Sequence, residues 1–172
     1  MIKQNTCCFT GHRPNNLPWG HNELNRNCKI FKKKLYNLVK QLISEGYIYF
    51  LTGMAEGFDL IAAETILKLK RKYKLILIAV IPCLNQTDFW NIKQQNRYKK
   101  ILKKCDDKII ISPQYTKQCM FERNQFLINH SSTVISCYNG ISSGTGYTIK
   151  LAKIQQLKII NINPKNNIIS LI

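Results

Sequence analysis

The apolar positions of this chain fall into two alternating patterns. Short unbroken runs, such as Cys7-Cys8-Phe9-Thr10 and Leu75-Ile76-Leu77-Ile78-Ala79-Val80-Ile81, alternate with longer stretches whose apolar residues recur at helical spacing. Uniform runs of this length suit parallel strands covered on both faces, and a stripe at every third or fourth position suits a helix with one buried side. The first run predicts a strand ending at Gly11-His12-Arg13-Pro14, because Pro14 lacks an amide donor and holds Arg13 extended. Ile30, Phe31, Leu35, Leu38, Val39, Leu42 and Ile43 predict a helix over 26–45, stopped by Gly46. The same reading places strands at 47–52, 75–81, 107–112, 133–138 and 158–162. Helices are expected at 59–72, at 86–102 with Asp88 near the start, at 120–129, and after Gly146 to about Leu157. This alternation predicts an α/β, Rossmann-like fold with right-handed crossovers. A mainly parallel central sheet would carry helices on both faces in a single domain spanning 1–172.

Composition narrows the class. With 172 residues and 45% apolar content, the chain can bury a full core without staples. No apolar run is long enough to span a membrane, and Met1 to Thr6 leads straight toward the first strand without a signal-like pattern, so a cytoplasmic protein is expected. The seven cysteines are scattered and contain no C-x-x-C pair, which argues against zinc, other metal or disulfide frameworks. The formal net charge of +17 invites a nucleic-acid reading. Its lysines cluster at 29–40, 68–74 and 93–108, on segments that read as exposed helix faces, and a solvated basic surface explains them equally well.

Chemistry concentrates where strands end. The run Tyr47-Ile48-Tyr49-Phe50-Leu51 stops at Thr52-Gly53-Met54-Ala55-Glu56-Gly57, and a helix begins near Asp59. A second strand-to-helix turn, Asn139-Gly140-Ile141-Ser142-Ser143-Gly144-Thr145-Gly146, recurs late in the chain. Glycine permits close backbone approach, and the first-turn N–H groups of a helix lack partners, so such turns can cradle an anion. Arg13 and Arg123 offer planar forks for phosphate or carboxylate, and Thr52, Ser142, Ser143 and Thr145 offer hydroxyls. Neither turn is a G-x-G-x-x-G or Walker loop. Simpler roles stay open: Asp59 as a helix N-cap, Glu56 as a solvated loop residue, and Glu64 and Glu122 paired with lysines. Trp90 and Tyr98 can be packing residues, and Arg123 can tie its helix to a neighbouring carboxylate.

Taken together, Thr10-Gly11-His12-Arg13-Pro14, the 52–59 turn with Ala62-Ala63-Glu64, Ile81-Pro82-Cys83, Arg97-Tyr98, Arg123-Asn124 and Gly144-Thr145 resemble the YpsA-like family of the SLOG superfamily. This is a domain family of unknown function. Its relatives include DNA-processing protein A and the lonely-guy phosphoribohydrolases. The resemblance implies a Rossmann-like fold, self-association as a homodimer or larger homo-oligomer, and a site for a nucleotide or nucleotide-derived signalling molecule. The residues implicated in binding are Gly11, His12, Arg13, Thr52, Gly53, Met54, Gly57, Asp59, Arg123, Asn124, Ser143, Gly144 and Thr145. Asn124 stands where the hydrolases have Lys, Thr148 where they have the catalytic Glu, and Ser143 replaces the first Gly of a Gly-Gly-Thr. The leading expectation is therefore a binding module without turnover and without a cofactor. The alternatives are an N-glycosidic hydrolase, with Glu56 or Glu122 as fallback carboxylates, and a single-stranded nucleic-acid binder.

Overall fold

A computed structural model describes residues 3–172. Of the opening stretch read as leading into the first strand, Met1 and Ile2 lie outside the described residues. Seven strands form one sheet: β1 (Thr6–Gly11), β2 (Tyr49–Thr52), β3 (Ile76–Cys83), β4 (Asp107–Ser112), β5 (Thr133–Cys137), β6 (Lys158–Ile162) and β7 (Ile169–Leu171). Their order is β4-β3-β2-β1-β5-β6-β7. The first six run parallel, and β7 pairs antiparallel with β6. The chain starts in the middle, builds outward through β4, then crosses back to place β5 on the other side of β1. That reversal opens a crevice between the loops after β1 and β5, where open parallel sheets place ligands.

Among the described residues five α-helices cover the sheet: α1 (Arg26–Ser44), α2 (Phe58–Leu69), α3 (Ile92–Leu102), α4 (Cys119–Asn129) and α5 (Gly144–Ile154). The alternation along β1 assigns them to faces. Cys7 and Phe9 belong to a core shared with α1, α2 and α3, whereas Cys8 belongs to a second core shared with α4 and α5. Phe9, Phe31, Phe50 and Phe58 are fully buried, and Phe9 lies 6.1 Å from both Phe50 and Phe58, ring centre to ring centre. Each such side chain contributes about 1.5–3 kcal/mol relative to exposure. This aromatic cluster supports the carboxyl ends of β1 and β2 from below.

The element boundaries depart from the expected ones where polar caps intervene. The helix expected over 86–102 begins at Ile92, because Asn91 accepts from the Gln94 amide at 3.0 Å and fixes the start there. Residues around Asp88 form turns instead. Ser143 likewise caps α5, accepting from Gly146 at 3.3 Å, so that helix starts at Gly144 and ends at Ile154. The helix expected to reach residue 72 stops at Leu69, and Lys108, the last of the 93–108 lysine cluster, lies on the strand expected at 107–112. β7 is an addition to the expected strands.

All seven cysteines are unpaired. Burial pushes the Cys8 thiol up to about 12 and the Cys28 and Cys105 thiols up to about 11, which keeps them protonated near neutral pH. Among the described residues no helix is long and apolar enough to cross a membrane, and no cluster of three His, Cys, Asp or Glu side chains could hold a metal.

Candidate functional site

The first wall of the site is the end of β1. The His12 amide donates to the Cys137 carbonyl at 3.1 Å, which carries the β1–β5 pairing one residue past the strand. The His12 carbonyl accepts from Phe58 N–H at 3.2 Å, locking the loop onto the start of α2. The imidazole is buried, with Nε2 2.7 Å from Asn139 Oδ1. Burial lowers its pKa more strongly than this hydrogen bond raises it, so the ring is neutral near pH 7. Arg13 follows in extended geometry, exposed, with Pro14 opening a short 3₁₀ turn behind it.

The second wall comes from α4. Arg123 is only 7% exposed, and its Nη1 lies 3.5 Å from Asp59 Oδ2. This is ion-pair range without hydrogen-bond geometry, and both Nε and Nη1 lack any hydrogen-bond partner. Asp59 is equally buried, and its Oδ2 accepts from the Ala55 amide at 3.2 Å. Burial raises the Asp59 carboxyl, partly opposed by Arg123, and burial lowers the Arg123 guanidinium, partly opposed by Asp59. The positive charge of Arg13 acts on both groups. The buried Arg123–Asp59 pair with the exposed Arg13 beside it leaves a net positive charge at the mouth of the site, which an incoming anion would complement.

The third wall is the first turn of α5. The Gly146 amide is satisfied by Ser143 Oγ and the Tyr147 amide by the Ser143 carbonyl. The amides of Gly144 and Thr145 sit in the same turn, where a helix offers no internal acceptor and its dipole favours negative charge. Together the three walls enclose a cavity of about 200 Å³.

Of the residues expected at the site, Gly11, His12, Arg13, Asp59, Arg123, Asn124, Ser143, Gly144 and Thr145 line this cavity. Thr52, Gly53, Met54 and Gly57 do not; they lie behind it. A Cβ on Gly53 would fall 1.5 Å from Arg123 Nη1, so this glycine makes room for the guanidinium. Gly57 has φ +96° and packs against the His12 carbonyl, where a Cβ would approach to 2.7 Å. Thr52 Oγ1 accepts from the Met54 amide, at 3.2 Å, and holds the turn in which Met54 takes a left-handed φ of 55°.

The N-cap role expected of Asp59 is overturned. Gly57 occupies the cap position of α2, no side chain caps it, and the Asp59 carboxylate turns back to Ala55 and Arg123. The fallback carboxylates are outside the cavity lining as well: Glu56 lies 3.6 Å from His21, and Glu122 is exposed in the first turn of α4. Glu64 is bound by Arg97, not by a lysine. Thr148 donates its hydroxyl to the Gly144 carbonyl at 3.0 Å. Trp90 and Tyr98 pack edge to face against each other. Sequence reasoning missed Phe9, Thr10, Asn16, Ala55, Met120 and Leu127 as lining residues, and Asn139 as the partner of His12. Only the turn-forming character of Asn16 and Asn139 marked them.

Known proteins resemble this chain in sequence and in fold. The chain is 30% identical over 153 residues to a UPF0398 protein of Halalkalibacterium halodurans, covering 86% of this chain and 80% of the relative. It is 29% identical over 136 residues to an uncharacterised SPbeta prophage-derived protein, YoqJ, of Bacillus subtilis, covering 71% of this chain and 80% of that one. Among solved structures it superimposes on DNA processing protein A of Streptococcus pneumoniae with a TM-score of 0.62 at 19% identity. That match covers 92% of this chain and 50% of the other. The corresponding protein of Helicobacter pylori, described by its single-stranded DNA binding mode, gives a TM-score of 0.61 at 21% identity, covering 94% and 66%. The chain therefore spans about half to two thirds of these structural neighbours, which share its fold. A sequence model matching residues 7–165 completes the comparison, and the chain belongs to the YspA SLOG family.

Proposed function

We propose that this protein captures a nucleotide or nucleotide-derived signalling molecule at the carboxyl ends of β1 and β5, acting as a non-catalytic sensor, regulator or sequestering protein. The observation that carries this reading is Arg123: a buried guanidinium with Nε and Nη1 unpartnered, beside the first turn of α5. Any acceptor placed there relieves the cost of the unmade hydrogen bonds, and an anionic one makes the stronger, charge-assisted bonds. A phosphate placed there would meet Arg123, Arg13 and the Gly144 and Thr145 amides, and the buried amide of Asn124 would be available to a sugar or base.

The absence of turnover is supported by the cavity's carboxylates. Asp59 lines the cavity but is engaged with Ala55 and Arg123, and the Thr148 hydroxyl is spent on the helix backbone. A missing acid–base group typically costs about 10²–10⁴-fold in rate, whereas phosphate contacts do not depend on it. We read the protein as cytoplasmic from its apolar pattern and as self-associating from its family resemblance, and sedimentation analysis checks the second point.

Denaturing the purified protein and identifying any released small molecule by mass spectrometry tests the ligand class. Calorimetry with a panel of nucleoside monophosphates, run beside an assay for free base, tests the rest. Binding that Arg13→Ala weakens, without base release, is the expected result. Efficient base release would assign the protein to the hydrolases instead.

A further inference from the structure

The two faces of the sheet differ sharply in charge. On one face α1 carries six Lys or Arg residues, α2 one and α3 four; on the other, α4 carries one and α5 two. The α4 cation is the buried Arg123 of the cavity, so the opposite face has little free positive charge. Between α2 and α3 lies a groove of about 1320 Å³, closed at one end by the 21–24 loop.

The floor of this groove is a fixed ionic lattice. Arg97 contacts Glu23 at 2.5 Å and Glu64 at 2.6 Å, and Lys32 contacts Glu23 at 2.5 Å. That lattice consumes both carboxylates lining the groove. Lys68, Arg71, Lys93, Lys100 and Lys104 line its sides, all exposed, and none forms an ion pair among the described residues. A solvated surface in a chain with fewer acids than bases leaves cations unpaired anywhere; here they are gathered along one concavity. Two apolar side chains join them on the rim, Leu24 at 79% and Ile92 at 68% exposed.

We propose that the α2–α3 groove binds the phosphodiester backbone of single-stranded nucleic acid, at a site separate from the cavity beside Arg123. Flexible lysines act as point-charge counterions to phosphates and read no sequence. Leu24 and Ile92 supply apolar contact for unstacked bases, which a duplex keeps inside its stack. The groove is thus a sequence-tolerant, strongly salt-dependent site.

Fluorescence anisotropy with a labelled oligothymidylate tests this. Five neutralised phosphates on a single strand give a log–log salt slope of about −3.5, a loss of about a hundredfold between about 50 and 200 mM salt. In the variant Lys68→Gln/Arg71→Gln/Lys100→Gln/Lys104→Gln the slope falls toward about −0.7. The matched variant Lys117→Gln/Lys150→Gln/Lys153→Gln/Lys165→Gln, which removes the same charge from exposed positions elsewhere, keeps the wild-type slope and stays within about twofold in affinity. All eight positions are exposed surface, where substitutions rarely disturb folding, and melting curves check each variant. Equal losses in the two variants would reduce the effect to bulk charge and overturn the site. So would undetectable binding at low salt, tighter binding of a duplex, or loss of binding in Arg13→Ala with the groove intact, which would move the strand to the cavity.

Discussion

Arg123 and Asp59 show how much one side chain's surroundings decide. Breaking a buried ion pair by removing one partner typically costs about 3–5 kcal/mol, because the survivor is left uncompensated. Arg123→Met should therefore lower the urea midpoint markedly, toward the smaller end of that range because the pair is loose at 3.5 Å. The double variant Arg123→Met/Asp59→Asn should regain most of that loss, since Asn still accepts from the Ala55 amide, yet it should not regain affinity for phosphorylated ligands. If the double variant recovers binding, Arg123 is a structural tie and not an anion ligand. The two glycines behind the site separate in the same way. Gly57→Ala forces a Cβ into a left-handed backbone against the His12 carbonyl and should destabilise by about 1–3 kcal/mol or more. Gly53→Ala has no such backbone penalty, but its Cβ collides with Arg123 Nη1, so its effect should appear first in ligand affinity, measured by calorimetry.

At the scale of elements, α1, α2 and α3 are joined by Glu23 on the loop before α1, Glu64 on α2 and Arg97 on α3. Burial alone would raise the Glu23 carboxyl, but hydrogen bonds from Arg97 and Lys32 outweigh it and hold the carboxyl below its usual value of 4.5. A carboxylate lowered in the folded state contributes stability that is complete above its unfolded pKa and is lost as pH falls through the lowered value. Asp106, hydrogen-bonded by Lys70 and the Leu77 amide against the opposing effect of burial, acts in the same direction. Chemical denaturation from pH 6 downward should therefore show a stability loss below about pH 4.5, and Glu23→Gln should make that limb shallower. An acid limb unchanged in Glu23→Gln would mean that the lattice contributes nothing to folding. Asp59 works in the opposite sense, since its raised pKa favours the folded state as it protonates.

For the molecule as a whole, the site lies where the sheet's strand order reverses, so occupancy couples to the fold through α2, α4 and α5 together. A ligand that binds only the folded state at a hundred times its Kd adds about 2.7 kcal/mol. For a chain of this size that corresponds to a rise in Tm of about 5–10 °C. A thermal-shift survey of nucleotides should find such a rise for the right ligand and lose it in Arg123→Met. Oligothymidylate bound in the α2–α3 groove should add to that shift instead of competing with it, because the two sites share no lining residue.

The local pattern of the chain was enough for the α/β class, the six parallel strands, the two glycine-bearing turns and the collection of His12, Arg13, Arg123 and Ser143 to Thr145 as candidates. Hydrophobic periodicity is a property of neighbours in sequence, and so are proline and glycine stops. What neighbours do not encode is which groups meet across the sheet. Whether Asp59 capped its own helix or faced Arg123, 64 residues away in number but 3.5 Å away in space, depended on β2, β1 and β5 lying side by side. The same packing drew Gly53 and Gly57 behind the cavity and set Glu64 against Arg97. β7 was not legible because its three residues carry no periodicity of their own and gain their pairing only from the edge that β6 presents. Charge was legible as a total of +17 and not as a place. Only the folded arrangement separated a buried guanidinium with unmade hydrogen bonds on one side of the sheet from an open basic groove on the other, because desolvation and concavity are properties of packed surfaces.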